Sequence, residues 1–267
     1  MIIRQDPLNG LTDQELKMPI IGMFSLVDGI SVSSEDENFP IDNLNNVATH
    51  LRWQSVEDQS GDINIDISTD ADTINYVAFV GHNFLGYQVS VQAYIPDSPG
   101  DFFTLIGPTD VTDSGPLILE FEEGDYEIIR VTIIGDGTRY AANMYCGLLL
   151  RMDRSVRVDQ EQTPTRRGQK TDVLTGFSEN GNFLGRLVRN SIYESKLSFN
   201  NIDRDFYAEE MHVWVRFFLP TVPFFLAWAP DDYPEETAYV WTTNDPIPTQ
   251  NMMTRNYSLA LELRGFA

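Results

Sequence analysis

Apolar and polar residues alternate along much of the first 150 residues of the chain. In the run 63–67, three isoleucines alternate with Asn64 and Asp66, and largely alternating runs also occupy 76–83 and 89–93. Alternation at period two is typical of strands that turn one face to a core and the other face to water. These runs therefore predict an antiparallel sheet.

Clusters of glycine, proline and aspartate separate the alternating runs. They favour chain reversal, because glycine accepts positive φ and proline fixes φ at a value that turns use. They lie at 97–101, 113–116, 123–125 and 135–137. Further strands are predicted at 102–106, 117–121, 126–134 and 143–150. Eight or so short strands at this spacing predict a jelly roll or a related β-sandwich.

The composition changes after residue 150. The segment 151–170 contains Pro164, few large apolar side chains and a third of the 18 basic residues of the chain. These basic residues are Arg151, Arg154, Arg157, Arg166, Arg167 and Lys170. The segment is predicted as a junction between an N-terminal discoidin-like β-sandwich domain, 1–152, and a second β-rich domain, 153–267. Strands of the second domain are predicted at 172–177, 182–188, 223–228, 238–243 and 256–264.

One segment of the second domain departs from the β pattern. Between residues 202 and 218 apolar residues recur every three to four positions, and Asp203 and Asp205 lie near the start. Carboxylates there are stabilised by the positive end of a helix dipole. One principal helix is therefore predicted at 203–218. The predicted fold class is all-β, with two β-sandwich (jelly-roll-like) domains and one principal helix in the second.

The charge of the chain limits the partners that it can bind. Lysine and arginine number 18 and aspartate and glutamate 40, which gives a formal net charge of −22. No nucleic acid is expected as a partner, because phosphates need a surplus of basic residues. No secretory signal is expected, since the N-terminus lacks a basic region followed by an apolar run. No membrane insertion is expected either, because the apolar runs are shorter than the roughly 20 residues of a spanning helix.

Candidate metal ligands are few. The three histidines, His50, His82 and His212, lie in separate predicted elements. Glu209 and His212 have the Glu-x-x-His spacing, but a two-metal site in a helix bundle needs a second such motif and further glutamates. His212 is therefore interpreted as a surface or core histidine. His82 follows a strand and is predicted to cap the turn after it, with a role in a ligand site as the alternative.

The stretch 62–70 alternates aspartate and asparagine with isoleucine and matches a calcium loop only in part. Ile67 occupies the position where the sharp turn of such a loop needs glycine, and Thr73 the position of its bidentate glutamate. A strand with its polar face outward is favoured, and calcium binding at a loop is the alternative. The lone Cys146 is predicted as a small buried side chain in a strand, since one thiol forms neither an internal disulfide nor a thiolate cluster.

No pattern in the chain predicts catalysis. The sequence contains no Gly-x-Ser-x-Gly turn, no histidine beside the cysteine and no glycine-rich phosphate loop. No catalytic residue, cofactor or metal is predicted, and the protein is not expected to be an enzyme. Aromatic faces could still bind sugar rings. Trp53, Trp214 and Trp228 lie in apolar patterns and are predicted as core, whereas Tyr233 is predicted to be exposed.

Residues 20–150 resemble the discoidin-like jelly-roll modules that occur in many phage virion proteins. The resemblance depends on Asp42, Trp53, Ser55, the strand 63–67 and the strand 77–83 with its Gly-His-Asn end. The second half looks like phage tail proteins, with an aromatic-rich helix, the run 223–228 and a closing strand. The chain lacks the paired cysteines of ligand-binding discoidin modules and a readable basic or aromatic spike motif, which counts against lectin activity.

The resemblance implies a structural component of a bacteriophage tail, at the distal tail or tail tip, that holds neighbouring subunits together. Its partners would be copies of itself and other tail proteins, and it would be made in the host cytoplasm and reside in the virion. The alternative is a carbohydrate-binding module that contacts host-surface polysaccharide, with a glycosidase a distant third.

The six basic residues of segment 151–170 are the candidate subunit-interface residues. Arginine pairs well with carboxylates at interfaces, and identical acidic subunits repel unless a complementary patch lies between them. The alternative is a solvated linker whose charges balance Asp153, Asp159 and Glu161. Replacing Arg166 and Arg167 with serine is expected to weaken assembly and leave the subunit folded.

Overall fold

The computed structural model describes residues 1–23, 25–69, 73–94, 102–155 and 168–266. About half of the chain lies in strands and a tenth in helices, which confirms the predicted all-β class. The described ranges contain thirteen strands before residue 152: β1 (Ile2–Arg4), β2 (Ile20–Gly22), β3 (Val27–Val32), β4 (Trp53–Gln54), β5 (Ile63–Thr69), β6 (Ile74–Val80), β7 (Gln88–Tyr94), β8 (Phe103–Asp110), β9 (Leu117–Gly124), β10 (Ile128–Ile134), β11 (Tyr140–Ala141), β12 (Asn143–Gly147) and β13 (Leu149–Arg151). Six follow: β14 (Gln169–Phe177), β15 (Phe183–Ile202), β16 (Phe224–Ala227), β17 (Thr237–Thr242), β18 (Thr249–Gln250) and β19 (Tyr257–Phe266).

Two sheets form a sandwich in the N-terminal part of the chain. One has the strand order β1-β9-β6-β12 and the other β3-β5-β10-β7-β8. Alternation places Ile63, Ile65 and Ile67 of β5 in the core between them, while Asp66 on the opposite face pairs with Arg130 at 2.7 Å. This arrangement confirms that the stretch 62–70 is a strand with its polar face outward, as far as Thr69. Cys146 lies in the same core, as predicted.

A third, larger sheet contains most of the second half of the chain. Its strand order is β13-β2-β16-β17-β19-β15-β14, with β18 paired to β19. Two of its strands, β2 and β13, come from the part of the chain before residue 152. The predicted first domain therefore contributes strands to the sheet of the second.

Most of the larger sheet, apart from β14 and the first half of β15, is covered on both faces. On one face, Phe225, Ala227 and Tyr239 pack against Tyr76 and Tyr145 of the four-stranded sheet. A Cβ atom at Gly22 in β2 would lie only 2.9 Å from the ring of Tyr76, so this contact requires glycine. The protein thus stacks five strands, four strands and the larger sheet in successive layers.

A helix at 204–218 covers the other face of the larger sheet. It begins as α-helix (Arg204–Phe206) and includes the π-helical turns Tyr207–Met211 and Trp214–Phe218. The Asp203 side chain caps it by accepting a hydrogen bond from the N–H of Asp205 at 2.9 Å. The predicted helix at 203–218 is therefore confirmed. The two shorter helices of the described ranges are an α-helical turn (Asp13–Leu16) and a 3-10 helix (Ile41–Asn45).

Candidate functional site

A two-stranded ribbon extends beyond the larger sheet. Residues 193–202 of β15 pair with β19, whereas residues 183–193 pair with β14 and with no other described strand. Residues 169–192, here called the arm, therefore project as a hairpin of about 30 Å, at 3.3 Å per residue. A two-stranded hairpin of this kind has little independent stability in water.

The arm carries large apolar side chains in contact with solvent. Six of them are between 50 and 69% exposed: Leu174, Phe177, Phe183, Leu184, Leu187 and Val188. Across the hairpin Leu174 pairs with Leu187, and Val173 pairs with Val188. Adjacent residues of a strand point to opposite faces, so both faces of the arm are apolar.

The tip of the arm is a well-defined turn. Ser178 N–H donates to the carbonyl oxygen of Asn182 at 2.8 Å, and Gly181 N–H donates to that of Ser178 at 2.9 Å. Gly181 has φ +79°, a conformation that glycine adopts without strain. Phe177 and Phe183 flank the turn with ring centroids 6.0 Å apart. The two exposed rings at the tip are thus held in a fixed relation.

Ion pairs fix the base of the arm to the sheet. Lys170 lies 3.1 Å from Glu194, and Arg264 donates to the same carboxylate at 2.8 Å. The hydrogen bond from Lys170, with that from Arg264, lowers the pKa of Glu194. Lys196 and Glu262 form a further pair at 2.8 Å. This polar base separates the exposed arm from the buried core of the larger sheet.

The basic residues predicted for a subunit interface lie in different surroundings. Arg151, in β13, contacts the carboxylate of Glu120 and donates to the carbonyl oxygen of Glu15 at 2.9 Å. Arg154 is half exposed, 3.8 Å from Asp153. Lys170 belongs to the base of the arm. The other three, Arg157, Arg166 and Arg167, lie outside the described residues, so the predicted interface stays a prediction.

The 204–218 helix presents a second exposed surface. Val213 and Phe217 are 53 and 56% exposed, and Glu209 and Glu210 one turn earlier are exposed as well. We call these four residues the helix patch. The opposite side of the helix is buried, where Trp214 packs edge-on against Phe224 at 5.5 Å. The patch therefore combines two apolar side chains with two carboxylates, and the exposed Arg216 borders it with its guanidinium 5.2 Å from the ring centroid of Phe217.

A third surface lies beside the paired short strands β4 and β11 in the N-terminal part of the chain. The guanidinium of Arg52 lies 4.9 Å from the ring centroid of Phe39 and 4.7 Å from that of Tyr140. All three side chains are partly exposed. We call these three residues the loop cluster.

None of the three histidines belongs to a metal-binding arrangement of described residues. Glu209 and His212 are both exposed. Within the described ranges, no group of three or more His, Cys, Asp or Glu residues is arranged to hold a metal ion. His82 accepts a hydrogen bond from Phe84 N–H through Nδ1 at 3.2 Å, which confirms its predicted capping role. Burial lowers the pKa of its imidazole to about 4.

The aromatic residues follow the sequence predictions with one exception. Trp53 and Trp214 are buried and Tyr233 is exposed, as predicted. Trp228, predicted as core, is only partly buried and stacks on Tyr233 at 5.3 Å. Its indole packs against the core of the larger sheet, and the ring of Tyr233 stacks on it from the following loop. No helix in the described part of the chain is long and apolar enough to cross a membrane.

Sequence reasoning located the arm strands but missed their exposure. Two pairs of adjacent apolar residues, 183–184 and 187–188, lie in one strand. Such pairs place apolar side chains on both faces, as in strands that are buried on both sides. The two apolar pairs therefore indicate a strand that is buried on both faces. In the structure, no described residue of the same chain buries it.

The sequence matches no protein-family model, and no curated protein has a matching sequence. Among solved structures, a pectin-binding carbohydrate-binding module is 14% identical with a TM-score of 0.37, over 46% of this chain and 91% of that module. Chitosan-binding module 1 of a Paenibacillus sp. IK-5 chitosanase/glucanase is 16% identical with a TM-score of 0.39, over 47% and 97%. The family 32 module of Clostridium perfringens NanJ, in complex with galactose, is 13% identical with a TM-score of 0.37, over 46% and 93%.

Proposed function

We propose that the protein is a structural subunit of a larger assembly, of the kind found in bacteriophage tails, and that the arm joins each copy to a neighbouring copy. The observation that carries this proposal is the arm, with six exposed apolar side chains distributed over both faces. Large exposed apolar surfaces mark interaction sites in soluble proteins. A neighbouring subunit would bury both apolar faces of the arm.

The distribution of charge supports contact between copies. Residues 151–192 contain eight basic and five acidic residues, a net charge of +3. The other 225 residues contain ten basic and 35 acidic residues, a net charge of −25. The arm belongs to this basic part of the chain, so it is attracted to the acidic surface of another copy. The six basic residues predicted for the interface belong to this same part.

The proposal is tested with a double variant, Leu174→Ser with Leu187→Ser, which removes one apolar pair of the arm. Burial of a leucine side chain contributes about 1.5–3 kcal/mol, so the loss of two should weaken association by about a hundredfold or more. The measurement is the mass of wild type and variant over a range of concentrations by analytical ultracentrifugation.

The matched control replaces two exposed apolar residues outside the arm, Val56 and Leu85, with serine. The control should assemble like the wild type. A wild type that remains monomeric at high concentration, or an arm variant that assembles as tightly as the control, would contradict the proposal.

Carbohydrate binding is the second candidate function, and the loop cluster is the observation that favours it. Partly exposed aromatic rings beside an arginine offer both a stacking face and hydrogen-bond donors to a sugar. Replacing Arg52 or Tyr140 with alanine should then abolish binding to bacterial surface polysaccharides on an array. The control is Arg130→Ala, which removes an arginine that packs on Phe102 at 4.1 Å. A wild type that binds no polysaccharide would rule this candidate out.

A further inference from the structure

The outer part of the arm combines apolar and basic groups. Leu187 and Val188 are exposed and lie between Arg186 and Arg189, which are exposed as well. Neither arginine forms an ion pair with another described residue. Along the strand Arg186 and Val188 point to one face of the arm and Leu187 to the other. Each face of this segment therefore carries an apolar side chain close to arginines that form no ion pair with another described residue.

The helix patch has the complementary composition. Val213 and Phe217 are exposed, and Glu209 and Glu210 form no ion pair with any residue of the described part of the chain. The two carboxylates and two apolar side chains of the helix patch complement the two arginines and two apolar side chains of residues 186–189. Arginine and carboxylate at such a contact also fix its register, because bidentate pairing is directional.

The arm and the helix patch of one copy are separated along β15. Leu187 lies eight residues, or about 26 Å of strand at 3.3 Å per residue, before Ser195, which pairs with Leu263. The end of the helix lies at this level of the sheet, because Thr242, which also pairs with Leu263, donates to the carbonyl oxygen of Leu219 at 2.9 Å. The base of the arm is held in the sheet by the pairing of Tyr193 with Gly265. An arm in its extended conformation therefore points away from the helix of its own copy.

We infer that the arm of one copy packs on the helix patch of a second copy, with Arg186 and Arg189 beside Glu209 and Glu210. This inference depends on the proposed function, because it names the surface that receives the arm. The two surfaces differ, so the contact is heterologous, and repeated contacts close into a ring or continue as an open chain.

Charge reversal tests the contact. Glu209→Lys with Glu210→Lys, and separately Arg186→Glu with Arg189→Glu, should each weaken association by about tenfold or more, because like charges then meet. Combining all four substitutions restores opposite charges and should recover wild-type association to within about threefold. The matched control, Asp125→Lys with Glu127→Lys, makes the same change of charge at exposed positions of the N-terminal sandwich and should leave association unchanged.

Disulfide trapping gives a second readout. Leu187→Cys and Val213→Cys variants are prepared separately, mixed and oxidised. A disulfide-linked dimer is expected in the mixture and not in either variant alone. The native Cys146 is fully buried and burial raises the pKa of its thiol, so it does not compete. A mixture of Leu85→Cys with Val213→Cys should give no linked dimer.

The outcomes separate this inference from the proposed function. Failure of the wild type to associate at any concentration would overturn both. Association that persists in the Glu209 and Glu210 variant, without a disulfide between positions 187 and 213, would overturn the inference and leave the proposed function in place.

Discussion

At the scale of single residues, His82 couples the stability of the N-terminal sandwich to pH. Burial, helped by the positive N-terminus, lowers the pKa of its imidazole from 6.5 to about 4, so the folded protein holds it neutral. As the pH falls below 6.5, the unfolded chain takes up a proton that the folded protein does not. The folded state therefore loses stability between pH 6.5 and 4, by up to about 3 kcal/mol at the lower end.

Replacing His82 with asparagine tests this effect, since an amide oxygen can accept the hydrogen bond of Phe84 without titrating. The free energy of unfolding of this variant should fall less than that of the wild type over the same pH range, by about 3 kcal/mol. Denaturant titrations at pH 7 and pH 4 provide the comparison. His50 is exposed, so His50→Asn is the control and should keep the wild-type pH dependence. Identical pH dependence in all three proteins would contradict the assignment.

Glu120 is the second residue with a predictable effect. It is only 2% exposed and lies between Arg4, at 2.8 Å, and Arg151 of the larger sheet. Glu120→Gln leaves the largely buried Arg151 without its carboxylate, and Arg4 with only the more exposed Asp231 at 3.7 Å. This loss should cost about 3–5 kcal/mol of unfolding free energy. Asp66→Asn removes a more exposed pair with Arg130 and should cost about 1 kcal/mol or less. Equal losses of unfolding free energy in the two variants would show that burial of an ion pair does not determine its contribution to stability.

At the scale of elements, the arm should be dispensable for folding. Asp172 and Asn190 pair across the hairpin, so a two-residue Asn-Gly turn can join them in place of residues 173–189. None of the replaced residues is buried. The melting temperature should change by no more than about 2 °C, while association is lost. A shortened protein that melts many degrees lower would show that the arm belongs to the folded core.

The sequence predicts those elements whose pattern is local. The alternating isoleucines of β5 and the three-to-four spacing of residues 202–218 are such patterns, and both elements are where they were predicted. The course of β15 beyond Val188 was missed, because its residues mix apolar and polar side chains without a clear period. The pairing of β2 with β16 joins residues about 200 positions apart, and no local pattern encodes such a contact. Exposure of the arm also depends on what lies nearby in space.

At the scale of the whole molecule, the separation of charge governs how copies meet. The two parts of the chain carry +3 and −25, so attraction at the arm acts against general repulsion between acidic bodies. Salt screens both, since the Debye length is about 10 Å at 0.1 M. The close contacts of Arg186 and Arg189 contribute attraction in the wild type. In the Arg186→Glu, Arg189→Glu variant the arm is acidic as well, so salt can only reduce the repulsion between copies.

The response to salt should therefore differ in sign between these two proteins. Raising sodium chloride from about 0.05 to 0.5 M, where screening becomes nearly complete, should weaken association of the wild type and strengthen the residual association of the charge-reversed variant. The Leu174→Ser, Leu187→Ser variant retains the arginines, so it should associate more weakly than the wild type and still respond to salt in the same direction. Dissociation constants from sedimentation at each salt concentration provide the measurement. If the wild type and the charge-reversed variant respond in the same direction, the arm arginines do not supply the attraction.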